Sequence, residues 1–340
     1  MHTPALPADA LAALPGLAAF GRTATRLHPR RGTVTAADSH VGGPLRWPAG
    51  EPWPLCEHPY MVNEEVPLPQ DLMDRLAAAK LGRTQPNILT EDEVVLHEEL
   101  AALVGPGFTS WGRVNGGQAV GHRFVARPHD NPMLAVAQLR AADVPDLPTP
   151  DGADLLQVLW CPFGHEQEDD SVWGPTLRLV WRREADVTGP LATAPDSAVG
   201  EEWYVPQPCR LHPEQIVEYP YPQELPEPLR EQAKNWPDGY VETFMAPGWK
   251  VGGHAKWQLT DLQPTPCRVC AGPTRLLLVI DSSEGIVSPR WRPVEEAGTD
   301  PGSFDHDANE PTGVTVGRWG ALRVFMCPTC PGAPFRLDQQ

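Results

Sequence analysis

Two pairs of cysteines constrain this fold more than any other feature of the chain. Cys267 and Cys270 form one C-x-x-C pair, and Cys327 and Cys330 form a second one after 56 intervening residues. Four thiolates are the ligand set of a tetrahedral Zn²⁺ site, so we predict one structural zinc ion here. The separation exceeds that of a compact finger, and a sheet must therefore bring the pairs together. Reduced free thiols and a redox-active pair are the alternatives.

Residue context favours the metal over redox chemistry. The first pair leads into an apolar run, and the second follows one, whereas a redox C-x-x-C requires a strand-to-helix junction. Gly272 and Gly332 each lie two residues after a pair, where glycine permits a tight turn over the sulfurs.

An internal repeat runs through the chain. Residues 41–47 read VGGPLRW and residues 251–257 read VGGHAKW, while 155–162 (LLQVLWCP) and 321–328 (ALRVFMCP) match in the same order. We interpret this as a duplicated unit. Each copy would place a glycine turn beside an anchoring tryptophan, at Gly42, Gly43 and Trp47 and again at Gly252, Gly253 and Trp257. The turns are structural in one interpretation and line a ligand in the other.

A weaker set of metal ligands lies in the first copy. Cys56 and His58 are followed by Cys161 and His165, and Cys161 aligns with Cys327 in the repeat. Two cysteines and two histidines suit a second Zn²⁺ site, and a relic with buried, unmetallated cysteines is the alternative. The cofactor prediction is therefore one Zn²⁺ ion, or two.

The last cysteine raises a separate catalytic hypothesis. Cys209 lies three residues before His212, and a cysteine near a histidine can act as a nucleophile with its base. No third group that would orient the histidine can be assigned, and a free cysteine is often a small buried apolar residue. We therefore assign no catalytic residue.

The composition favours an α+β fold of mostly antiparallel sheet, duplicated about a pseudo-two-fold axis and holding few helices. With 41 Pro in 340 residues, long helices are excluded and short strands and turns are expected. The predicted strands are 133–139, 154–160, 176–181, 274–280 and 321–326. The predicted helices are 9–14, 70–81, 90–104 and 228–236. The third begins with the capping box T-E-D-E at Thr90 and has an apolar stripe of Leu96, Leu100, Leu103 and Val104.

The pattern divides the chain into an extension, two units and a connector. They are an N-terminal helix and extension at 1–21, unit 1 at 22–185 with a helical insert at 59–130, a Pro-rich connector at 186–248, and unit 2 at 249–340. We interpret the acidic segment with Asp300, Asp305 and Asp307 as a solvated loop, because it lacks the EF-hand order of ligands.

Charge and hydropathy limit the partners. The formal net charge of -17 argues against nucleic-acid binding, which depends on neutralising phosphates, and favours a basic protein client. No run of 18 apolar residues exists, and the N-terminus lacks the basic start of a signal peptide, so we expect a cytoplasmic protein without membrane contact. The cysteines should then remain reduced.

The motifs resemble a known family. The segments SHVGGPLRWP (39–48), PMLAVAQL (132–139), DLLQVLWCPFGH (154–165) and WKVGGHAKWQ (249–258) are similar to the bacterial YwqG-like proteins, especially their long actinobacterial branch. The Gly-Gly-Trp motif and the terminal F-x-C-x-x-C are also similar to the programmed cell death protein 2 family. The resemblance implies a duplicated α+β fold of mostly antiparallel sheet. The eukaryotic relatives act as chaperones of a ribosomal protein, and some YwqG-like members lie near toxin–immunity loci. The insert departs from both patterns.

Two functional hypotheses follow. The first is a zinc-stabilised, non-enzymatic scaffold, a chaperone- or immunity-like adaptor whose basic client lies in the groove between the units. The second is an enzyme centred on the unit 1 metal site or on Cys209 and His212.

Overall fold

The computed structural model describes residues 1–113, 117–127, 130–167, 172–237, 239–257, 262–298 and 306–340. It has two compact units, one of residues 1–56 with 131–340 and one of residues 57–130. Asp300 and Asp305 of the predicted acidic loop lie outside the described residues.

The elements follow one another as short strands with few helices. The helices are α1 (Ala10–Ala13), α2 (Gln70–Lys80), α3 (Glu91–Val104), α4 (Glu227–Lys234), α5 (Tyr240–Phe244) and α6 (His306–Asn309). The strands up to residue 140 are β1 (Arg22–Arg26), β2 (Arg30–Arg31), β3 (His40–Val41), β4 (Leu55–Cys56), β5 (Tyr60–Pro67), β6 (Phe108–Arg113), β7 (Ala119–Arg127), β8 (Asn131–Pro132) and β9 (Leu134–Arg140). The later strands are β10 (Leu155–Trp160), β11 (His165–Gln167), β12 (Val172–Gly174), β13 (Leu177–Arg182), β14 (Cys209–Arg210), β15 (Glu214–Glu218), β16 (Lys250–Gly252), β17 (Arg275–Asp281), β18 (Ala321–Met326) and β19 (Phe335–Gln339).

The larger unit is built on two six-stranded sheets. The first has the order β15-β1-β16-β17-β18-β19, and the second has the order β13-β10-β9-β3-β14-β2. Neighbouring strands in both sheets pair antiparallel. The fold is therefore mixed and strand-rich, as the α+β prediction requires.

Two short segments cross from one sheet to the other. β1 lies in the first sheet and β2 in the second, while β14 lies in the second and β15 in the first. The stretch expected as a connector at 186–248 thus contributes strands to both sheets. Its prolines permit this because they flank very short strands and need donate no ladder hydrogen bond there.

Apolar strands from both sheets share one core. All six residues of β10 are buried, as expected for a continuous apolar run covered on both faces. The shared cluster includes Val136, Leu156 and Val158 from the second sheet and Leu278, Ile280 and Val324 from the first.

The smaller unit has a core of its own beneath a three-stranded sheet. That sheet has the order β5-β7-β6, and its core includes Leu76 of α2 and Leu96, Leu100 and Val104 of α3. The predicted capping box is confirmed, because the Thr90 hydroxyl accepts from the Glu93 N–H at 3.1 Å and the Glu93 carboxylate accepts from the Thr90 N–H at 3.0 Å. The prediction for Leu103 is wrong: it is 46% exposed, since the buried stripe follows the four-residue spacing and leaves it at the edge.

A buried ion pair ties together the two strands that flank β1. The Lys250 ammonium donates to both carboxylate oxygens of Glu218, at 2.6 and 2.7 Å. The same carboxylate accepts the backbone N–H groups of His254 at 2.6 Å and Ala246 at 3.0 Å. The two side chains are at most 2% exposed, so this carboxylate is satisfied entirely by the protein.

We expect Lys250→Met to lower the free energy of unfolding by about 3–5 kcal/mol, because it leaves the Glu218 carboxylate buried without its cation. Urea denaturation of the purified protein measures the loss. Lys234→Met is the control: Lys234 pairs with Glu231 at the surface, so it should cost less than about 1 kcal/mol. Equal losses in the two variants would contradict this account.

Candidate metal centres

The register of two neighbouring strands brings the C-x-x-C pairs together. Arg275, the first residue of β17, pairs with Met326, the last residue of β18. Cys327 therefore follows β18 at the same end of the sheet where the chain of Cys270 enters β17. This one antiparallel pairing brings together two cysteine pairs that are separated by 56 residues in the sequence.

The four sulfurs have the spacing of a tetrahedral metal site. Cys267 Sγ lies 3.9 Å from Cys330 Sγ, and Cys270 Sγ lies 3.8 Å from Cys327 Sγ. All four ligand atoms lie within 4.8 Å of one another. A regular tetrahedron with metal–sulfur bonds of about 2.3 Å has edges of about 3.8 Å. The sulfur–sulfur distances of 3.9 and 3.8 Å match this edge, and the group therefore fits a tetrahedral metal ion.

Backbone hydrogen bonds close each cysteine turn. The Val269 N–H donates to Cys267 Sγ at 3.3 Å, and the Cys267 N–H donates to the Gly272 carbonyl at 2.9 Å. On the other side, the Cys327 N–H donates to the Pro334 carbonyl at 2.9 Å. These bonds fix the sulfurs from the backbone, so the geometry does not depend on flexible side chains.

Gly332 and Gly272, which follow the two cysteine pairs, are required for different structural reasons. Gly332 has a left-handed φ of 69° and was predicted correctly. At the first pair the left-handed residue is Ala271, with φ of 54°, so Gly272 is not required for a left-handed backbone. A Cβ on Gly272 would lie 3.2 Å from Cys270 Sγ, and glycine instead leaves room for the sulfur.

Hydrogen bonds and thiol–thiol contacts shift the cysteine pKa values in opposite directions. The Gly272 N–H is the first cause that lowers the pKa of Cys270, and the Thr329 hydroxyl and N–H lower the pKa of Cys327 to about 6. Contact with Cys270 raises the pKa of Cys330 to about 12. Four thiolates this close repel one another, and a bound cation is the physical means to hold them all ionised. Sequence reasoning missed Thr329, although it lies within the second C-x-x-C.

Full thiolate coordination would make this a structural centre. Cys267 and Cys327 are buried while Cys270 is exposed, so an ion here sits at the surface with its ligands already complete. A catalytic site needs an open coordination position, and four cysteines leave none.

A second group of ligands forms where the end of β10, in the second six-stranded sheet, meets β4 and β11, which belong to two separate two-stranded sheets. Cys56 ends β4, Cys161 follows β10, and His165 begins β11. Their ligand atoms lie within 4.8 Å of one another, with Cys56 Sγ 3.7 Å from His165 Nε2. The hydrogen bond with Cys56, then burial, raises the pKa of Cys161. This group could also hold a metal ion.

The surroundings of the second group include a residue that the sequence did not point to. The Asn131 amide lies 4.0 Å from Cys161 Sγ and donates to Ser197 Oγ at 3.0 Å and to the Ala198 carbonyl at 2.9 Å. His58 belongs to the smaller compact unit and is not a member of this group, and its role as fourth ligand stays a prediction.

The Cys209 side chain is unsuited to nucleophilic catalysis. It is fully buried, and its thiol donates to the Pro311 carbonyl at 3.2 Å. Burial raises the pKa of Cys209 to about 12, and burial lowers the pKa of His212. A reactive thiol needs a lowered pKa, and this one has the reverse.

At both Gly-Gly turns, other atoms of the protein occupy the space beside a glycine. Gly42 and Gly253 have left-handed φ values of 66° and 71°. A Cβ on Gly42 would lie 2.5 Å from the Gln207 carbonyl oxygen, and one on Gly253 would lie 2.0 Å from Glu218 Oε1. Both turns therefore need glycine for packing, which favours the structural interpretation over the ligand loop.

The tryptophans after these turns anchor them to the sheets. Trp47 and Trp257 are 1% and 3% exposed. The guanidinium of Arg182 lies 4.3 Å from the ring centre of Trp47, and that of Arg323 lies 4.4 Å from the ring centre of Trp257. Each indole is thus covered by a cation on one face.

Comparison with protein-family models and with curated proteins finds no match for this chain. Among the described residues, every helix is too short or too polar to traverse a lipid bilayer.

We expect Cys270→Ser to remove one metal equivalent from the purified protein, because a hydroxyl is a poor substitute for a thiolate ligand. Elemental analysis by mass spectrometry counts the metal. Cys209→Ser is the matched control, since it also removes one thiol but lies outside both ligand groups, and it should keep the full metal content. Unchanged metal in Cys270→Ser would contradict the assignment.

Proposed function

We propose that this protein is a zinc-stabilised, non-enzymatic scaffold that binds an extended segment of a basic protein client. Zn²⁺ is the metal we infer, because tetrahedral sites made of four cysteine thiolates are typical of structural zinc. A second Zn²⁺ would sit at Cys56, Cys161 and His165, with His58 as the predicted fourth ligand.

We further propose that the two halves arose by duplication. Strands β3, β9, β10 and β13 follow one another in the second sheet in the same order as β16, β17, β18 and β19 in the first. Residues 26–29 and 210–213 both read RLHP, and both connect a strand of one sheet to a strand of the other. The two copies also touch, since the His212 N–H donates to the Leu27 carbonyl at 2.9 Å. In this proposal the two copies exchange their first strands about a pseudo-two-fold axis, so that β1 joins the first sheet and β14 joins the second. The exchange accounts for all three observations. It moves the start of the second copy from residue 249 to about residue 209.

The groove for the client is a cleft beside the four cysteines. We name it the knuckle cleft; it has a volume of about 800 Å³. The loop 146–151, from the first half, forms one wall, and residues 326–331, from the second half, form another. Because Cys327 and Cys330 belong to that second wall, metal binding would keep the cleft in shape.

One observation carries the proposal of an extended segment: β16 ends before its neighbours do. The last pair between β1 and β16 is Ala24 with Gly252, and the last pair between β16 and β17 is Val251 with Leu278. Beyond them, Arg22–Thr23 of β1 and residues 275–277 of β17 line the cleft. Two strand spacings of about 4.8 Å separate β1 from β17, which leaves a gap one strand wide. A client strand entering this gap would hydrogen-bond to strand backbone on both sides.

Charge acts at long range rather than inside the cleft. Arg22 and Arg275 line the cleft together with Asp146 and Asp151, so its own charges balance. The net charge of -17 over the chain would attract a basic client from a distance and favour fast association.

The catalytic alternative has little support from the second ligand group. Cys56, Cys161 and His165 are 2%, 0% and 2% exposed. A catalytic metal there would need a path for substrate, and such burial is typical of a structural site.

A steric block of the knuckle cleft tests the proposal. Thr149 is exposed and lines the cleft, so Thr149→Trp should abolish capture of the client while leaving the metal content unchanged. Affinity capture at low and high salt, followed by mass spectrometry, identifies what binds. The wild type should retain a basic protein at low salt and release it at high salt.

Thr188→Trp is the matched control, since Thr188 is equally exposed and does not line the cleft. It should behave as the wild type does. Retention of the same client by Thr149→Trp, an acidic client, or the absence of any client would each count against the proposal.

A further inference from the structure

We infer that a second, smaller cavity binds a small oxyanion through Lys256 and Arg318. The cavity has a volume of about 270 Å³, and its lining includes Lys250, Lys256, Asp281, Arg318, Trp319 and Arg323. That volume lies below the usual range of drug-sized pockets, about 300–1,000 Å³, so the ligand is small.

Two of the four cations in this cavity are already neutralised. Lys250 is ion-paired with Glu218 at 2.6 Å, and Arg323 is ion-paired with Asp338. The one acidic side chain in the described lining, Asp281, accepts the backbone N–H groups of Gly248 at 3.0 Å and Ser283 at 3.1 Å.

Lys256 and Arg318 remain without a carboxylate. Within the described ranges, neither side chain has an acidic partner within 4.0 Å. Burial lowers the pKa of Lys256, although the charges of Glu242 and Asp281 act in the opposite direction. This ammonium has therefore lost water without gaining a direct ion pair to a described residue in exchange. Such a group is satisfied by an anionic ligand that enters the cavity.

The repeat supplies an internal comparison. Lys256 is the basic residue of V-G-G-x-x-[basic]-W in the second copy, and Arg46 is its equivalent in the first. Arg46 lies 3.8 Å from the carboxylate of Glu184. The same motif position therefore has an ion pair with a protein carboxylate in one half, and faces a cavity without such a pair to any described residue in the other.

The rim of the cavity supports a bound ligand. Trp319 is 57% exposed and holds a left-handed φ of 62°, a conformation that is unusual for a bulky residue and clusters at ligand sites. The protein as a whole repels anions because its net charge is -17. Binding of an oxyanion must then be local, through a monodentate ammonium and a planar guanidinium.

Calorimetric titration with inorganic phosphate and with acetate, at constant ionic strength, tests the inference. We expect one of the two to bind the wild type at a single site. Lys256→Met should weaken that binding at least tenfold, and so should Arg318→Gln, which changes an exposed side chain and should not disturb folding. Lys234→Met, at a surface position away from the cavity, should bind as the wild type does.

Comparison of the phosphate titration with the acetate titration distinguishes two chemical classes of oxyanion ligand. Tighter phosphate binding indicates a phosphate-bearing ligand, and tighter acetate binding indicates a carboxylate. Absence of binding by both anions, or equal binding by the wild type, Lys256→Met and Arg318→Gln, would overturn the inference. Unchanged far-UV circular dichroism and metal content in the variants separate loss of binding from loss of fold.

Discussion

The close approach of four cysteine sulfurs is the constraint on which the second half of the molecule depends. The sulfurs of Cys267, Cys270, Cys327 and Cys330 lie within 4.8 Å of one another, and N–H and hydroxyl donors favour the ionised form at two of them. A cation that holds all four would tie the entry of β17 to the exit of β18. The same turns form a wall of the knuckle cleft, so such a cation would connect the sheet edge to the proposed binding surface.

The Glu218 carboxylate has a comparable role at the Gly-Gly turn. It reaches the space where a side chain on Gly253 would lie, and it accepts the His254 N–H and the Lys250 ammonium. These contacts bend the chain away from the line of β16 directly after Gly252. The gap between β1 and β17 therefore has a cause: a buried carboxylate ends the middle strand early while its neighbours continue. A glycine turn that looks like a loop motif in sequence is thus required by packing around a buried carboxylate.

The sequence predicted those parts of the fold that are determined by local pattern. The apolar runs of β10 and β18 were located within a residue of their observed bounds, and the capping box located the start of α3 at Thr90. The two cysteine pairs were recognisable because the spacing of metal ligands is a local property of the chain. By contrast, the smaller unit's sheet was missed, since β5 (YMVNEEVP) is polar and half-exposed and offers no apolar run.

Long-range pairings could not be predicted from the pattern of single segments. β2 and β14 have two residues each, too few for any periodicity, and the recurrence of RLHP at 26–29 and 210–213 is the one sequence signal that adjoins both strands. The sequence also cannot show that Arg46 has a carboxylate partner while Lys256 has none among the described residues, because Glu184 is brought near Arg46 by the second sheet. Tertiary contact, and not residue type, distinguishes a neutralised cation from one that can receive a ligand.

X-ray absorption at the metal edge tests the central claim most directly. The double variant Cys161→Ser/His165→Gln removes two ligands of the second group and leaves the four-cysteine group as the sole intact one. The account predicts a bound zinc ion with four sulfur neighbours at about 2.3 Å and no nitrogen or oxygen in its coordination shell. Loss of all metal from this variant, or a shell that contains nitrogen or oxygen, would contradict the account.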